Sequence, residues 1–203
     1  SRKNGGALYL IAYGRAGQAR YALCTAFAID KRVLGTNAHC LVAMRDLAKK
    51  GAHFTAVQNE NPSFRVGIVG IRQHRRYLKA GRKLSPDLGL VKVDKDLPSA
   101  VTLADDEGLK KVSRGSLMFS FGFPGRLADP RKPIATLVHG RVGRMTRYDA
   151  STGTFSQSQL LQHSALSMGG ASGSPLFNDA GKVIGIHAGS YTERARSTLP
   201  ARR

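Results

Sequence analysis

The stretch GGASGSPLFNDAGKVIGIH, residues 169–187, joins a loop of glycines and serines to two short apolar runs. The runs PLF and KVIGI are separated by NDAG, residues that favour a turn, so the stretch predicts a strand, a turn and a second strand. Loops of glycine and serine are common as flexible linkers. This one leads at once into a strand, so we expect it to be anchored and fixed.

Short apolar runs of this kind recur along the whole chain and are rich in Val, Ile, Phe and Tyr, which favour strands. One other stretch, LVAMRDLAKK at residues 41–50, predicts a helix of one or two turns. The strand candidates form two groups, six before Asp94 and five after a polar connector: ALYLIAYG, RYALCTAFAID, RVLGTNAH, HFTAVQN, FRVGIVGIRQ and LGLVKV, then LMFSFGFPG, ATLVHGRVGRMTR, TFSQSQLLQHSA, SPLFN and KVIGIHAG.

Many short strands in two groups favour an all-β protein, built either as two small antiparallel barrels or as a sandwich. We expect an N-terminal β-barrel at residues 1–97, a linker at 98–116, a C-terminal β-barrel at 117–190 and a basic tail at 191–203.

The formal net charge of +19 is the extreme value of the composition. Of the 32 Lys and Arg residues, 18 lie in the first hundred positions, so the charge is spread over the molecule. The densest run, RQHRRYLKAGRK at residues 72–83, is either a solvated surface loop or a weak polyanion site. No apolar run approaches the roughly 20 residues of a membrane span.

A serine nucleophile needs a base, a group that orients the base, and donors aimed at the oxyanion. The loop GGASGSP offers Ser172 between Gly170 and Gly173. Glycine before the serine lets the N–H groups of Gly170 and Ser172 point into one small cavity, the candidate oxyanion hole.

The candidate base is His39, which the segment GTNAHC places at the end of an apolar strand and beside a cysteine. A histidine at a strand end is more commonly structural. The prediction that His39 is a base therefore depends on its combination with the candidate serine. The histidines without such a setting are expected to be surface or structural residues; they are His53, His74, His139 and His163.

The candidate orienting acid is Asp87, in the segment SPDLGLVKV. It directly precedes an alternating strand whose apolar members are expected to be buried: Leu88, Leu90, Val91 and Val93. The alternative role for Asp87 is to cap a turn after Pro86. As a catalytic group it would accept a hydrogen bond from the imidazole and fix its tautomer.

In the order His39, Asp87, Ser172, these motifs resemble the trypsin/chymotrypsin-like serine peptidases, whose patterns are T-A-A-H-C, D-I-A-L and G-(D/N)-S-G-G-P. The resemblance implies two packed antiparallel β-barrels with the active site in the cleft between them. It implies a polypeptide substrate, an acyl-enzyme on Ser172, and no cofactor or metal.

The same resemblance bears on the two cysteines. Taken alone, Cys24 and Cys40 could be two buried thiols. They fall where the family places the disulfide of its histidine loop, so the resemblance implies a bridge, and hence a secreted or periplasmic location.

The sequence departs from the family pattern in the serine loop. Ala171 stands where trypsin-type zymogens carry an aspartate that pairs with a newly freed amino terminus, so the loop must be held by packing and backbone bonds. Ser174 replaces the second glycine, which is similar to the bacterial branch that contains the staphylococcal glutamyl endopeptidases. The five strand candidates of the second half, without a closing strand and helix, are a further departure.

The resemblance to that branch implies a pocket for an acidic side chain, with Glu preferred before the scissile bond. His187 and Ser167 would line this pocket. Substrate would extend along the strand edge that includes Ala188 and Gly189 and donate and accept main-chain hydrogen bonds.

Two alternatives stand beside this interpretation. The chain could be a catalytically silent scaffold of peptidase shape that binds a partner or a polyanion, as the charge of +19 suggests. It could also be a peptidase whose basic surface binds nucleic acid in addition.

Overall fold

The computed structural model describes residues 2–15, 18–78, 85–125, 127–149, 151, 160–167 and 169–189. Eleven strands and three helices lie in this part of the chain. The all-β class and the two-barrel arrangement expected from the sequence are confirmed, and each of the eleven strand candidates contains a strand.

The first six strands close into an antiparallel barrel of order β1-β2-β3-β6-β5-β4. Each strand ends at a turn or at a change from apolar to polar residues, as its sequence predicts. The strands are β1 Leu8–Gly14, β2 Tyr21–Asp30, β3 Val33–Thr36, β4 His53–Gln58, β5 Asn61–Gln73 and β6 Gly89–Val93.

One expectation for this barrel is wrong. Leu88 and Leu90 are 44% and 43% exposed, whereas Val91 and Val93 are buried. Successive side chains of a strand point to opposite faces, and a closed barrel buries only the inner face. An apolar run in β6 therefore cannot be buried throughout.

The last five strands form an antiparallel half-barrel of order β11-β10-β7-β8-β9. They are β7 Leu117–Gly122, β8 Thr136–Thr146, β9 Leu160–His163, β10 Pro175–Phe177 and β11 Val183–Ile186. The part of the second half beyond residue 189 and the basic tail at 191–203 lie outside the described residues.

The helices are short. In chain order they are α1 Arg2–Gly5, α2 Ala38–Ala48 and α3 Asp106–Lys110. The predicted helix at 41–50 corresponds to α2, which begins three residues earlier. The other two are too brief to show a helical period, although the Asp105 side chain caps α3 by accepting from the Gly108 N–H. No helix in the described ranges is long and apolar enough to cross a membrane.

The apolar core joins the two halves. Its larger cluster fills the first barrel and also includes Phe121, Phe123, Phe177 and Val183 from the second half. A smaller cluster, which includes Met118 and Leu176, fills the half-barrel. The ends of β7 and β10 thus pack on the first barrel, and this brings the loop before β10 against β2.

Candidate active site

His39 lies in the first turn of α2, because β3 ends at Thr36 and the helix begins at Ala38. The sequence had placed it at the strand end. N–H groups in the first turn of a helix have no partner within the helix. The His39 N–H instead donates to Asp87 Oδ1 at 2.9 Å, and the ring nitrogen Nδ1 lies 2.6 Å from Asp87 Oδ2. One carboxylate therefore holds both the backbone and the ring of His39.

Asp87 is itself held by the residue that precedes α2. Its carbonyl accepts a hydrogen bond from the Asn37 side chain at 2.8 Å. A Cβ added to Gly89 would lie 2.7 Å from Leu41 Cδ1, so only glycine lets the start of β6 approach the helix this closely. When the carboxylate accepts a hydrogen bond from Nδ1–H, the neutral imidazole has its lone pair on Nε2, the atom suited to accept a proton from a hydroxyl.

The disulfide between Cys24 and Cys40 ties β2 to the first turn of α2. The sulfur atoms and a ring nitrogen of His39 lie within 4.8 Å of one another, the one cluster of candidate metal ligands within the described residues. Both sulfurs are bonded to each other, so neither is a thiolate that could bind a metal ion.

The serine loop has a backbone that only glycine accommodates at two positions. Gly170 and Gly173 have φ angles of +93° and +86°. A Cβ on Gly170 would lie 2.2 Å from the Gly125 nitrogen, and one on Gly173 would lie 2.0 Å from the Thr25 carbonyl oxygen. The sequence motif of Gly and Ser thus corresponds to a fixed loop pressed against the rest of the molecule.

Thr25 joins this loop to the first barrel, and sequence reasoning missed it. Its N–H donates to the Ser172 carbonyl at 2.8 Å, and its Oγ1 accepts from the Phe123 N–H at 2.9 Å and donates to the Gly170 carbonyl at 3.4 Å. The signal available in the sequence is a threonine inside the buried run of β2, directly after Cys24.

Ser174 closes the serine loop by bonding back to Ala171. Its hydroxyl and its N–H both bond to the Ala171 carbonyl, at 2.6 and 3.0 Å, and the residue is fully buried. The loop therefore closes on itself without an ion pair at Ala171.

The structure brings Ser172 to the same side of the barrel interface as His39, since Thr25 bonds to the Ser172 carbonyl and adjoins the disulfide next to His39. No hydrogen bond joins the Ser172 hydroxyl to the His39 ring, and the N–H groups of Gly170 and Ser172 have no acceptor within the described ranges. Hydrogen bonds between catalytic groups often tighten only when substrate binds.

The other candidates lie at or near His187, whose backbone bonds to the two residues that follow Ser172. The Gly173 N–H donates to the His187 carbonyl at 2.9 Å, and the His187 N–H donates to the Ser174 carbonyl at 2.8 Å. The His187 ring is joined through Nε2 to the Ser167 hydroxyl at 2.7 Å. Ala188 and Gly189 are exposed and lie beyond the end of β11.

The His187 ring is neutral at physiological pH. Only 3% of the residue is exposed. Burial, together with the nearby rings of His163 and His39, lowers the pKa of His187 to about 4. The Ser167 hydroxyl and the His187 ring that it contacts are consequently polar and uncharged.

Comparison with known proteins agrees with this geometry. The sequence profile of the trypsin-like peptidase domain matches residues 24–186, and a search of curated proteins finds no significant match. Among many similar solved structures, one titled "Crystal structure of Deg5" has a TM-score of 0.64 at 19% identity and covers 93% of this chain and 82% of its own. The chain therefore belongs to the trypsin-like peptidase domain family and is a serine endopeptidase.

Proposed function

We propose that Ser172 is the nucleophile, that His39 is the general base and acid, and that Asp87 orients His39. The observation that carries this proposal is the double hydrogen bond between His39 and Asp87, at 2.6 and 2.9 Å, opposite a serine loop that Thr25 holds in place. Each of the three groups has a role that the other two cannot take over.

In the proposed reaction, the Ser172 oxygen attacks the peptide carbonyl while its proton passes to His39 Nε2. The N–H groups of Gly170 and Ser172 donate to the oxyanion, each donor being worth about 10²–10³ in kcat. His39 returns the proton to the leaving amine. Water then attacks the acyl-enzyme, with His39 again as base, and releases the second product.

We propose that the pocket at Ser167 and His187 takes the side chain before the scissile bond and prefers Glu. The hydrogen bond of 2.7 Å between the Ser167 hydroxyl and His187 Nε2 supports this proposal, since it brings two polar groups together. The Ser167 hydroxyl can donate to a carboxylate oxygen. The main chain of the substrate would pair with the exposed segment at Ala188 and Gly189, as an added strand.

We further propose an extracytoplasmic location, supported by the disulfide between Cys24 and Cys40. The substrate is a polypeptide, and the charge of +19 would draw acidic polypeptides toward the enzyme by long-range attraction. The same charge is the support for polyanion binding by the basic surface.

Covalent labelling with a fluorophosphonate tests the catalytic assignment. Wild type is expected to be labelled and Ser172→Ala is expected to be unlabelled although folded. The matched control is Ser63→Ala, which changes an exposed serine of β5 and leaves labelling unchanged. A folded wild type that resists labelling would exclude the catalytic proposal and favour the silent scaffold.

A peptide library tests the specificity. We expect cleavage after Glu to dominate, and His187→Ala to lower it much more than it lowers fluorophosphonate labelling. The control is His139→Ala on the exposed face of β8. An absence of acidic preference in wild type would contradict the pocket proposal and leave the catalytic one intact.

A further inference from the structure

Asn37 stands at the N-cap of α2, directly before the helix, and only 1% of the residue is exposed. An asparagine in this position usually caps the helix by accepting a hydrogen bond from an N–H group of the first turn. The side chain of Asn37 makes no such bond. The capping position therefore holds a residue of the preferred type whose side chain is used for a different contact.

That contact is with Asp87, 50 positions away in the sequence. Asn37 Nδ2 donates to the main-chain carbonyl of Asp87 at 2.8 Å, and the His39 N–H in the first turn of α2 donates to Asp87 Oδ1 at 2.9 Å. His39 Nδ1 lies 2.6 Å from the other carboxylate oxygen. The Asp87 carboxylate therefore caps α2 in place of Asn37, and Asn37 in turn holds the main chain of Asp87.

The direction of the Asn37 amide is determined by this contact. Its Oδ1 atom is buried and has no hydrogen-bond partner within the described residues. Turning the amide over would place Oδ1 against the Asp87 carbonyl, where two acceptors would repel each other. A buried acceptor without a partner costs stability, and a serine at the N-cap would avoid this cost because its hydroxyl could accept from the first turn. Capping of α2 alone therefore does not account for an asparagine at this position.

The acceptor that the His39 N–H finds decides how Asp87 is held. If Asn37 Oδ1 accepted this N–H, Asp87 Oδ1 would lose its partner and the carboxylate would be free to rotate away from the imidazole. Because the Asn37 amide is engaged with the Asp87 carbonyl, the N–H remains available to the carboxylate. Both carboxylate oxygens of Asp87 are then fixed, one by the backbone and one by the ring of His39.

We infer that Asn37 is a positioning residue of the proposed catalytic site, which anchors the main chain of Asp87 so that the carboxylate is aligned with the backbone N–H and the ring Nδ1–H of His39. The inference rests on the proposed role of Asp87 as the group that orients His39. Asn37 acts on the reaction through Asp87 alone, so its effect should disappear when Asp87 can no longer orient the base.

Asn37→Ser tests this role, because a serine that caps α2 has no donor at the position of Nδ2. We expect kcat and the rate of fluorophosphonate labelling to fall by about 10- to 100-fold, since a small misplacement of a catalytic group has effects of this size. KM should change little, because the residues that would bind the substrate are unaltered. Urea unfolding of the variant confirms that it is folded under the conditions of the assay.

A double-mutant cycle separates positioning from a general effect on the fold. Asn37→Ser is introduced into wild type and into Asp87→Asn, and the labelling rates of the four proteins are compared. If Asn37 acts through the Asp87 carboxylate, the loss seen in wild type should shrink to about twofold or less in the Asp87→Asn background. A merely structural change would lower the rate by the same factor in both backgrounds.

A second variant and a control accompany the cycle. Asn37→Asp keeps the size of the side chain and can cap α2, but it offers an acceptor where Nδ2 donates, so we expect a loss at least as large as that of Asn37→Ser. The control is Asn61→Ser, at an exposed asparagine that begins β5 and bonds to the Gln58 side chain. This variant should behave as wild type in every assay.

The outcomes separate this inference from the proposed function. A folded Asn37→Ser that is labelled at the wild-type rate would overturn the inference, and so would an equal loss in both backgrounds. Absence of labelling in wild type would instead contradict the assignment of Ser172, and an unchanged rate in Asp87→Asn would contradict the role of Asp87. If Asn37→Ser does not fold, Asn37→Asp takes its place in the cycle, and the same two results contradict the inference.

Discussion

The two halves of the molecule hold their parts of the site in different ways. In the closed barrel, the Asp87 carboxylate bonds to the backbone and the ring of His39, and a disulfide lies one residue away. In the half-barrel, the serine loop is fixed by glycine backbone geometry and by Thr25, which reaches across from the other half. The proposed base is thus preorganised within one barrel, whereas the proposed nucleophile depends on the contact between the two.

The largest effect on activity should come from disrupting the hydrogen bonds between Asp87 and His39 in the closed barrel. Asp87→Asn is expected to lower kcat/KM by about 10⁴, because an amide cannot hold His39 in the tautomer with a free Nε2 lone pair. Rates of peptide hydrolysis at saturating and at low substrate concentration give kcat and kcat/KM for the variant. Asp96→Asn, at an exposed aspartate paired with Arg32, is the control and should change little. A loss below tenfold would mean that Asp87 does not orient the base.

The serine loop of the half-barrel should be disrupted by substitution of its glycines. Gly170→Ala is expected to lower kcat by about 10²–10³, since its Cβ would collide with Gly125 and displace a proposed oxyanion donor. The matched control is Gly169→Ala, where an added Cβ meets no atom within 4 Å. Equal activity of the two variants would show that the loop is not fixed in the way described.

Thr25→Val tests the link between the halves. It removes the hydroxyl that accepts from the buried Phe123 N–H, and an unpaired buried donor costs about 1–3 kcal/mol. We expect a free energy of unfolding lowered by up to about 3 kcal/mol in urea, with a loss of activity smaller than that of Gly170→Ala. Thr102→Val, at an exposed threonine, should leave both quantities unchanged. A stable but inactive Thr25→Val would contradict the structural role.

The smallest effect concerns the buried His187 ring. The pKa of His187 is lowered to about 4 by burial, so the unfolded chain takes up the proton first as pH falls below about 6.5. The stability associated with this group is present above that pH and is lost progressively toward pH 4. We expect a loss of about 2 kcal/mol between pH 7 and pH 5, measured by urea unfolding. His187→Gln should reduce this slope, and an unchanged slope would show that His187 is not its source.

The sequence predicted the strands well because each is a short apolar run that ends at turn residues, as in β6 or β10. Prediction from the sequence was wrong for the features that depend on tertiary contacts. Leu88 and Leu90 were expected inside, but only the closure of the barrel decides which face of β6 is buried. Local pattern also placed His39 at a strand end, whereas packing on β6 sets it in the first turn of α2.

The candidate site likewise contains residues that local sequence reveals and residues that only tertiary contacts reveal. The motifs around His39, Asp87 and Ser172 stand out because their residue types are unusual in their local setting. Thr25 does not, since it acts through hydrogen bonds to residues far away in sequence, at 145 positions for Gly170 and 98 for Phe123. Partners at such separations are visible only in the folded chain.

We expect the serine loop to present Ser172, and no other serine, to the proposed base His39. Mass spectrometric mapping of the fluorophosphonate adduct tests it directly. We expect a single adduct on Ser172 in wild type, formed at a rate that Asp87→Asn lowers steeply. An adduct on Ser174 or Ser167, or one whose rate of formation is unchanged by Asp87→Asn, would contradict it.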